Sequence, residues 1–176
     1  AIADVPNVAV DIAPVHSLVA RVMDGAGSPK LIIPTGASPH EYSLRPSEAK
    51  SLQDADMVFW MGEDFAPWME NSIETLSKNA DVITLLEESE TKLLDYREEA
   101  LFEEHDHEDH DDDKDHDDHD EHAHGAHDPH AWLSIENAQT WLNLVAGKLS
   151  AADPENAGVY FANAAEARKE IDALVK

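Results

Sequence analysis

Cysteine is absent from the 176 residues of this chain. The fold therefore contains no disulfide, and a metal site in it needs nitrogen and oxygen ligands rather than thiolates. Basic residues are scarce too: 12 Lys and Arg stand against 38 Asp and Glu, a formal net charge of −26. Such a charge argues against nucleic acid and anionic membrane surfaces as partners and favours cations as ligands.

Long hydrophobic runs are also missing, since no apolar stretch approaches the roughly 20 residues of a membrane-spanning helix. The sequence has no phosphate-binding glycine loop, no G-x-S-x-G elbow and no H-E-x-x-H pair, so we predict that it is not an enzyme. The chain opens without a signal peptide. We expect a secreted, mature protein from which that peptide has been removed.

Short apolar runs alternate with amphipathic stretches through the first half of the chain. Continuous apolar runs predict parallel strands covered on both faces. Helices are predicted over residues 15–24, 46–54 and 65–78, the last with Asp64 as N-cap. The order βαβαβαβ predicts an α/β domain. The predicted strands cover residues 8–10, 31–33, 57–60 and 82–85.

Two further helices are predicted near the end of the chain. The first is capped by Ser134 and continues to about residue 150, and the second follows the cap signal Asp153-Pro154-Glu155 and continues to Lys176. Helical spacing predicts that the second helix buries one face, made of Ala157, Phe161, Ala164, Arg168, Ile171 and Val175.

Residues 103–128 interrupt this pattern with 14 acidic residues, eight histidines and one lysine among 26 positions. Nothing there can bury apolar surface, which predicts a disordered surface loop. A solvated acidic linker is the alternative, but it has no need of histidines, whose neutral imidazoles bind borderline metals. We therefore predict an auxiliary metal site formed by His105, His107, His110, His116, His119, His122, His124 and His127.

Three other histidines lie on ordered segments. His40 belongs to PTGASPHEY (residues 34–42), which follows a strand where open α/β sheets place their crevice, although a hydrogen-bonded loop histidine is the alternative. His130 lies in DPHAWL (residues 128–133) and is either the last member of the tract or, anchored by the Trp and Leu after it, a fixed ligand. For His16, lining or capping the cleft is favoured over metal ligation.

The segment GASPHEYSLRPS (residues 36–47) closely resembles the sequence around the first metal-binding histidine of bacterial zinc-uptake binding proteins, the cluster A-I solute receptors of ABC transporters. Residues 11–19 resemble the opening strand and helix of that family, and residues 55–62 resemble its third strand. PHAWLS (residues 129–134) is similar to its second histidine motif. An acidic, histidine-rich loop before that motif is typical of the zinc-binding members, and manganese-binding relatives usually lack it.

This resemblance implies a (β/α)4 lobe with a parallel sheet, formed by residues 1–102 and 129–152, then an interlobe helix that starts over residues 153–176. A second lobe, with a third histidine and any acidic ligand, would lie outside this chain. The family pattern assigns His40 and His130 as the zinc ligands present here. Some members have a glutamate before the first histidine, but that position is Pro39 in this sequence.

The function implied is periplasmic capture of Zn²⁺ and its delivery to an inner-membrane ABC permease. The histidine-rich loop would be an auxiliary metal collector or sensor, and we expect a monomer that binds no nucleic acid. Three alternatives stay open: a stand-alone periplasmic zinc buffer or metallochaperone, a manganese-binding relative, and a metalloenzyme lobe whose catalytic residues lie outside the chain.

Overall fold

The structure, a computed structural model, describes residues 5–95 and 127–175. Its sheet has four parallel strands in the order β2-β1-β3-β4, which confirms the predicted α/β class and parallel sheet. The strands are β1 (Val8–Val10), β2 (Lys30–Leu31), β3 (Met57–Trp60) and β4 (Asp81–Thr84). The helices are α1 (Ala13–Met23), α2 (Pro46–Gln53), α3 (Pro67–Leu76), α4 (Ile135–Ala152) and α5 (Ala157–Leu174).

The two central strands form the middle of the core. Every residue of β1 and β3 is buried, as expected for a parallel sheet with helices on both faces. α1 packs against α4 and α5, whereas α2 packs against α3. Trp141 of α4 and Tyr160 of α5 are among the largest fully buried side chains, so the helices after the histidine-rich segment belong to the same core.

The strand order creates a crevice between β1 and β3. From β1 the chain crosses to β2 on one side, and from β3 it crosses to β4 on the other side. The connections that leave the carboxyl ends of these two neighbouring strands therefore diverge, and such a switch point is where open α/β sheets bind ligands.

The second strand is shorter than predicted and starts one residue earlier. β2 consists of Lys30 and Leu31, although the amides of Ile32 and Ile33 still donate to the carbonyls of Val10 and Asp11, at 2.8 and 2.9 Å. Pro34 has no N–H to continue this pairing. The apolar run therefore marks the buried segment correctly but not the limits of the strand.

The predicted N-cap of α3 is wrong. The helix begins at Pro67 with Ala66 as N-cap, so Asp64 does not cap it. Proline at the first helical position fixes the start of the helix, and the residue before it is pushed out of helical conformation. Glu63 instead lies beside Glu70 of the helix, and its negative charge raises the pKa of the Glu70 carboxyl.

The predicted buried face of α5 is rotated from the one observed. Tyr160, Ala164 and Ala167 are buried, whereas Phe161 is 53 % exposed. The short 3₁₀ turn Pro154–Asn156 precedes the helix, and the Tyr160 hydroxyl donates a 2.7 Å hydrogen bond to buried Asp153. This bond fixes the start of the helix so that Tyr160, one position before Phe161, faces the core. Ser134 does cap α4, accepting from the Asn137 amide.

None of the helices within the described residues is long and apolar enough to cross a membrane. Residues 96–126, which hold most of the predicted metal loop 103–128, lie outside the described residues. The disorder of that loop and the domain limits given above therefore stay predictions.

Candidate metal centre

His40 lies in the connection between β2 and α2, which several contacts fix. Gly36 turns the chain with a φ of +90°, a conformation that glycine adopts without strain. The indole Nε1 of Trp68, in the first turn of α3, donates to the Pro39 carbonyl at 2.7 Å. The Tyr42 hydroxyl donates to Glu48 of α2 at 2.9 Å. These contacts therefore fix the backbone on both sides of His40 in the sequence.

The ring of His40 is oriented by a backbone carbonyl. Its Nδ1 lies 2.9 Å from the carbonyl oxygen of Phe65, in the turn between β3 and α3. A carbonyl can only accept a hydrogen bond, so Nδ1 carries the proton in the neutral ring. Nε2 then has the free lone pair that a metal requires.

His130 is oriented by a carboxylate. Oδ1 of Asp128 accepts from the backbone N–H of His130 at 2.9 Å and from its Nδ1 at 2.7 Å. These two bonds, the backbone one first, hold the pKa of Asp128 below its ordinary value. The arrangement protonates Nδ1 and again leaves Nε2 free, and a carboxylate on the second ring nitrogen is common for metal-ligating histidines.

The structure brings His40 and His130 together. Their ring centroids are 5.7 Å apart at an interplanar angle of 74°, and the ring of buried Phe65 lies 5.0 Å from His40 and 5.8 Å from His130. Two imidazoles that share a tetrahedral Zn²⁺ at about 2.0–2.1 Å have centroids about 5–6 Å apart. The spacing therefore fits a shared ion, although their role as ligands stays a prediction.

The histidine-rich segment is attached to the lobe by a short neck, which we define as residues 92–95 and 127–131. Asp95 and His127 form an antiparallel bridge, and His127 Nδ1 lies 2.9 Å from an Asp95 oxygen. The side chain of buried Asn137 bonds to both sides of the neck, at the backbone of Lys92 and the carbonyl of Ala131. The two ends of the segment therefore meet next to His130.

Of the other predicted site residues, the structure describes His16 and His127, and each of them contacts a different group. His16, half-buried on α1, places its Nε2 3.2 Å from the Pro29 carbonyl, which gives the ring a structural contact. His127 belongs to the neck and pairs with Asp95. The remaining seven histidines of the auxiliary site lie outside the described residues, at positions 105, 107, 110, 116, 119, 122 and 124.

Two carboxylates and one amide near the candidate site were not identified from the sequence. Asp128 lies in the DPHAWL motif, and its D-x-H spacing could have indicated a carboxylate bonded to the histidine. Asn137 and Asp11, both fully buried, gave no signal in the sequence. Asp11 lies at the end of β1, and desolvation by burial raises the pKa of its carboxyl from 3.8 to about 7.

This shifted pKa predicts how stability depends on pH. Between about pH 4 and pH 7 the folded protein keeps the Asp11 proton that the unfolded chain has lost. The free energy of unfolding should therefore fall as pH rises through this range, by an amount of the order of a few kcal/mol from this group. Denaturant unfolding at several pH values, compared with Asp11→Asn, measures it. Equal pH slopes in the two proteins would contradict it.

Sequence comparison identifies relatives over nearly the whole chain. Residues 8–176 match the family model described as the periplasmic component A of the zinc-uptake complex, ZnuA. The chain is 46 % identical over 181 residues to the high-affinity zinc uptake system protein ZnuA of Paracoccus denitrificans, covering 98 % of this chain and 56 % of that protein. It is 41 % identical over 187 residues to the protein of the same name from Brucella abortus, covering 97 % and 56 %. The chain thus spans about half the length of the curated relatives it matches.

Solved structures share the fold. The Zn(II)-bound ZnuA-like domain of Streptococcus pneumoniae AdcA aligns with a TM-score of 0.69 at 23 % identity, covering 96 % of this chain and 52 % of that one. The Mn-bound periplasmic metal binding protein from Candidatus Liberibacter asiaticus aligns with a TM-score of 0.70 at 19 % identity, covering 93 % and 52 %. At these identities the likeness shows the fold alone.

Proposed function

Because this chain belongs to the ZnuA family of periplasmic zinc-uptake components, we propose that it captures Zn²⁺ and delivers it to an inner-membrane ABC permease. The family consists of solute-binding proteins rather than enzymes, so no bond is made or broken in this reaction. The relatives named above are zinc uptake proteins, and the chain shares with them the stretch that contains both histidine motifs.

The paired rings of His40 and His130 carry this proposal. Each ring has its Nδ1 bonded to an acceptor, so both offer Nε2 to the same ion without further rearrangement of tautomers. Neutral imidazoles suit Zn²⁺, and two protein ligands leave two tetrahedral positions for other groups. His40 is exposed and His130 half-buried, which leaves the ion a path to solvent for loading and release.

We assign the histidine-rich segment the role of an auxiliary collector or sensor. Its 14 acidic residues against one lysine attract cations, and its imidazoles offer weak, exchangeable ligands. The neck supports this assignment because it joins the segment to the lobe directly beside His130. An ion released from the segment would then start close to the proposed site.

Growth under zinc limitation tests the proposed function. A host strain without this protein should grow poorly when zinc is chelated, and added zinc should restore growth where added manganese does not. The intact gene should restore growth in the presence of chelator, whereas a gene carrying both His40→Ala and His130→Ala should not. The uptake of ⁶⁵Zn by the same strains measures the transport step directly.

Deleting the permease separates import from buffering. If the protein feeds the permease, it should give no protection against chelation in the strain without permease. Protection in that strain would indicate a periplasmic buffer, and equal rescue by the double histidine variant would mean that zinc is held elsewhere.

A further inference from the structure

Asp11 joins the two strands that border the crevice. It follows the last residue of β1 and is 0 % exposed. One carboxylate oxygen accepts from the Ile12 amide at 2.7 Å, and the other accepts at 2.7 Å from the amide of Met61, which directly follows β3. The side chain therefore spans the switch point between β1 and β3 at the edge of the sheet where the candidate metal centre lies.

The strand end held by Asp11 begins the turn that orients His40. Next to Met61, the Gly62 carbonyl accepts from the amides of Phe65 and Ala66, at 3.2 and 3.0 Å. The turn closed in this way presents the Phe65 carbonyl to Nδ1 of His40. A continuous series of hydrogen bonds and short backbone links thus connects the Asp11 carboxylate to the His40 ring.

Stability alone does not account for a carboxylate at this position. Within the described residues both of its side-chain hydrogen bonds are to backbone N–H groups, and no basic side chain bonds to it. A buried charge without a charged partner is costly, which is why burial raises the pKa of this group to about 7. In its ionised form, above that pKa, the group has two acceptor oxygens and bonds both amides at once, which a carboxamide with its single oxygen cannot do.

We propose that Asp11 is a positioning residue of the zinc site, which fixes the turn at residues 61–66 so that the Phe65 carbonyl holds His40 with Nε2 free for the metal. This proposal rests on the proposed function only for the identity of the bound ion. The partner of His130 is different, because Asp128 orients that ring from the neck. Loss of the Asp11 carboxylate should therefore disturb one histidine of the pair and spare the other.

The test is Asp11→Ala, read out by the ring nitrogens of the metal-free protein and by zinc affinity. In long-range ¹H–¹⁵N spectra recorded above the Asp11 pKa of about 7, the wild-type His40 ring should be in the Nδ1–H form. In Asp11→Ala it should become a mixture of tautomers while His130 stays unchanged. Competition with a chelator should show about tenfold weaker binding at the tight site, the lower end of the loss typical for outer-shell partners.

Asp153→Ala is the matched control. Asp153 is also 0 % exposed, and its substitution removes the hydrogen bonds from Tyr160 and Asn156. The residue lies in the connection between α4 and α5 and not in the crevice between β1 and β3. It should lower stability without changing the His40 spectrum or zinc affinity. Equal effects of the two variants would overturn the proposal, because they would mean that Asp11 acts through overall stability.

Two measurements decide the outcome if Asp11→Ala does not fold. Asp11→Asn keeps one acceptor and should give a smaller change of the same kind, with the amide exchange of Met61 showing whether its bond is lost. In the wild-type protein an Nε2–H form of His40 would overturn the proposal without any variant. Zinc binding that survives His40→Ala would refute the proposed function, while the tautomer response to Asp11 would still decide this inference.

Discussion

Zinc binding at the tight site should fall by more than about a hundredfold when either His40 or His130 is replaced by alanine. Outer-shell partners of a metal ligand already contribute about 10–100-fold, so removal of the ligand itself should exceed that range. The rings are 5.7 Å apart, and each would supply half of the protein ligands that this chain offers to a shared ion. Competitive titration against a chelator of known affinity measures the change.

His16→Ala is the control for the two single variants. Its ring contacts the Pro29 carbonyl, so this substitution should leave the tight zinc site unchanged. If both side chains bind one ion, each single variant and the double variant His40→Ala/His130→Ala should all lack the tight ion. One tight ion that survives each single substitution and disappears only in the double variant would indicate two separate sites, and tight binding that survives both substitutions would refute the site.

Removing residues 103–126 should abolish the weaker class of bound ions and leave one ion in place. This deletion removes seven of the eight histidines of the histidine-rich segment (residues 103–128) but spares the neck, including Asp128, whose bond orients His130. Weak, multiple binding is expected from the many imidazoles and carboxylates of this segment, whereas the single tight ion should depend on His40 and His130. Isothermal titration should show the number of bound ions falling from several to one, with the tight affinity kept.

A variant of equal length separates the two kinds of ligand in the tract. Replacing the seven histidines of residues 103–126 with asparagine keeps the carboxylates, and it should remove the weaker class as fully as the deletion does. If the asparagine variant keeps that class, carboxylates hold the ions. If the deletion leaves the stoichiometry unchanged, the segment does not bind metal and the prediction of an auxiliary metal site is wrong.

The elements of the fold could be predicted from the sequence because the residues that specify them are local. Pro46 and Glu48 occur where α2 begins, and the apolar runs give the buried segments of the sheet. The predictions were wrong where a contact between residues that are not adjacent in the sequence decides the local structure. The hydrogen bond between Tyr160 and Asp153 sets the rotation of α5, and helical periodicity alone cannot distinguish that face from the next one.

The site was predictable only in part for a similar reason. His40 and His130 could be named because motifs surround them, but their tautomers depend on a carbonyl 25 residues away and on Asp128. Asp11 stands in an apolar segment and bonds across 50 residues to Met61, so no spacing in the sequence indicates its function. Long-range hydrogen bonds to backbone groups leave no side-chain pattern to recognise.

The neck also has a consequence for how such a protein can diversify. Its bridge between Asp95 and His127 and the clamp of Asn137 fix the two ends of the inserted segment independently of what lies between them. The entropy cost of closing a loop grows slowly, by only about 0.6 kcal/mol for each doubling of length. We therefore expect that the 31 residues from 96 to 126 can be lengthened, shortened or replaced with little loss of stability in the lobe. The number of metal ions that the segment binds could then change in evolution while the fold of the lobe is kept.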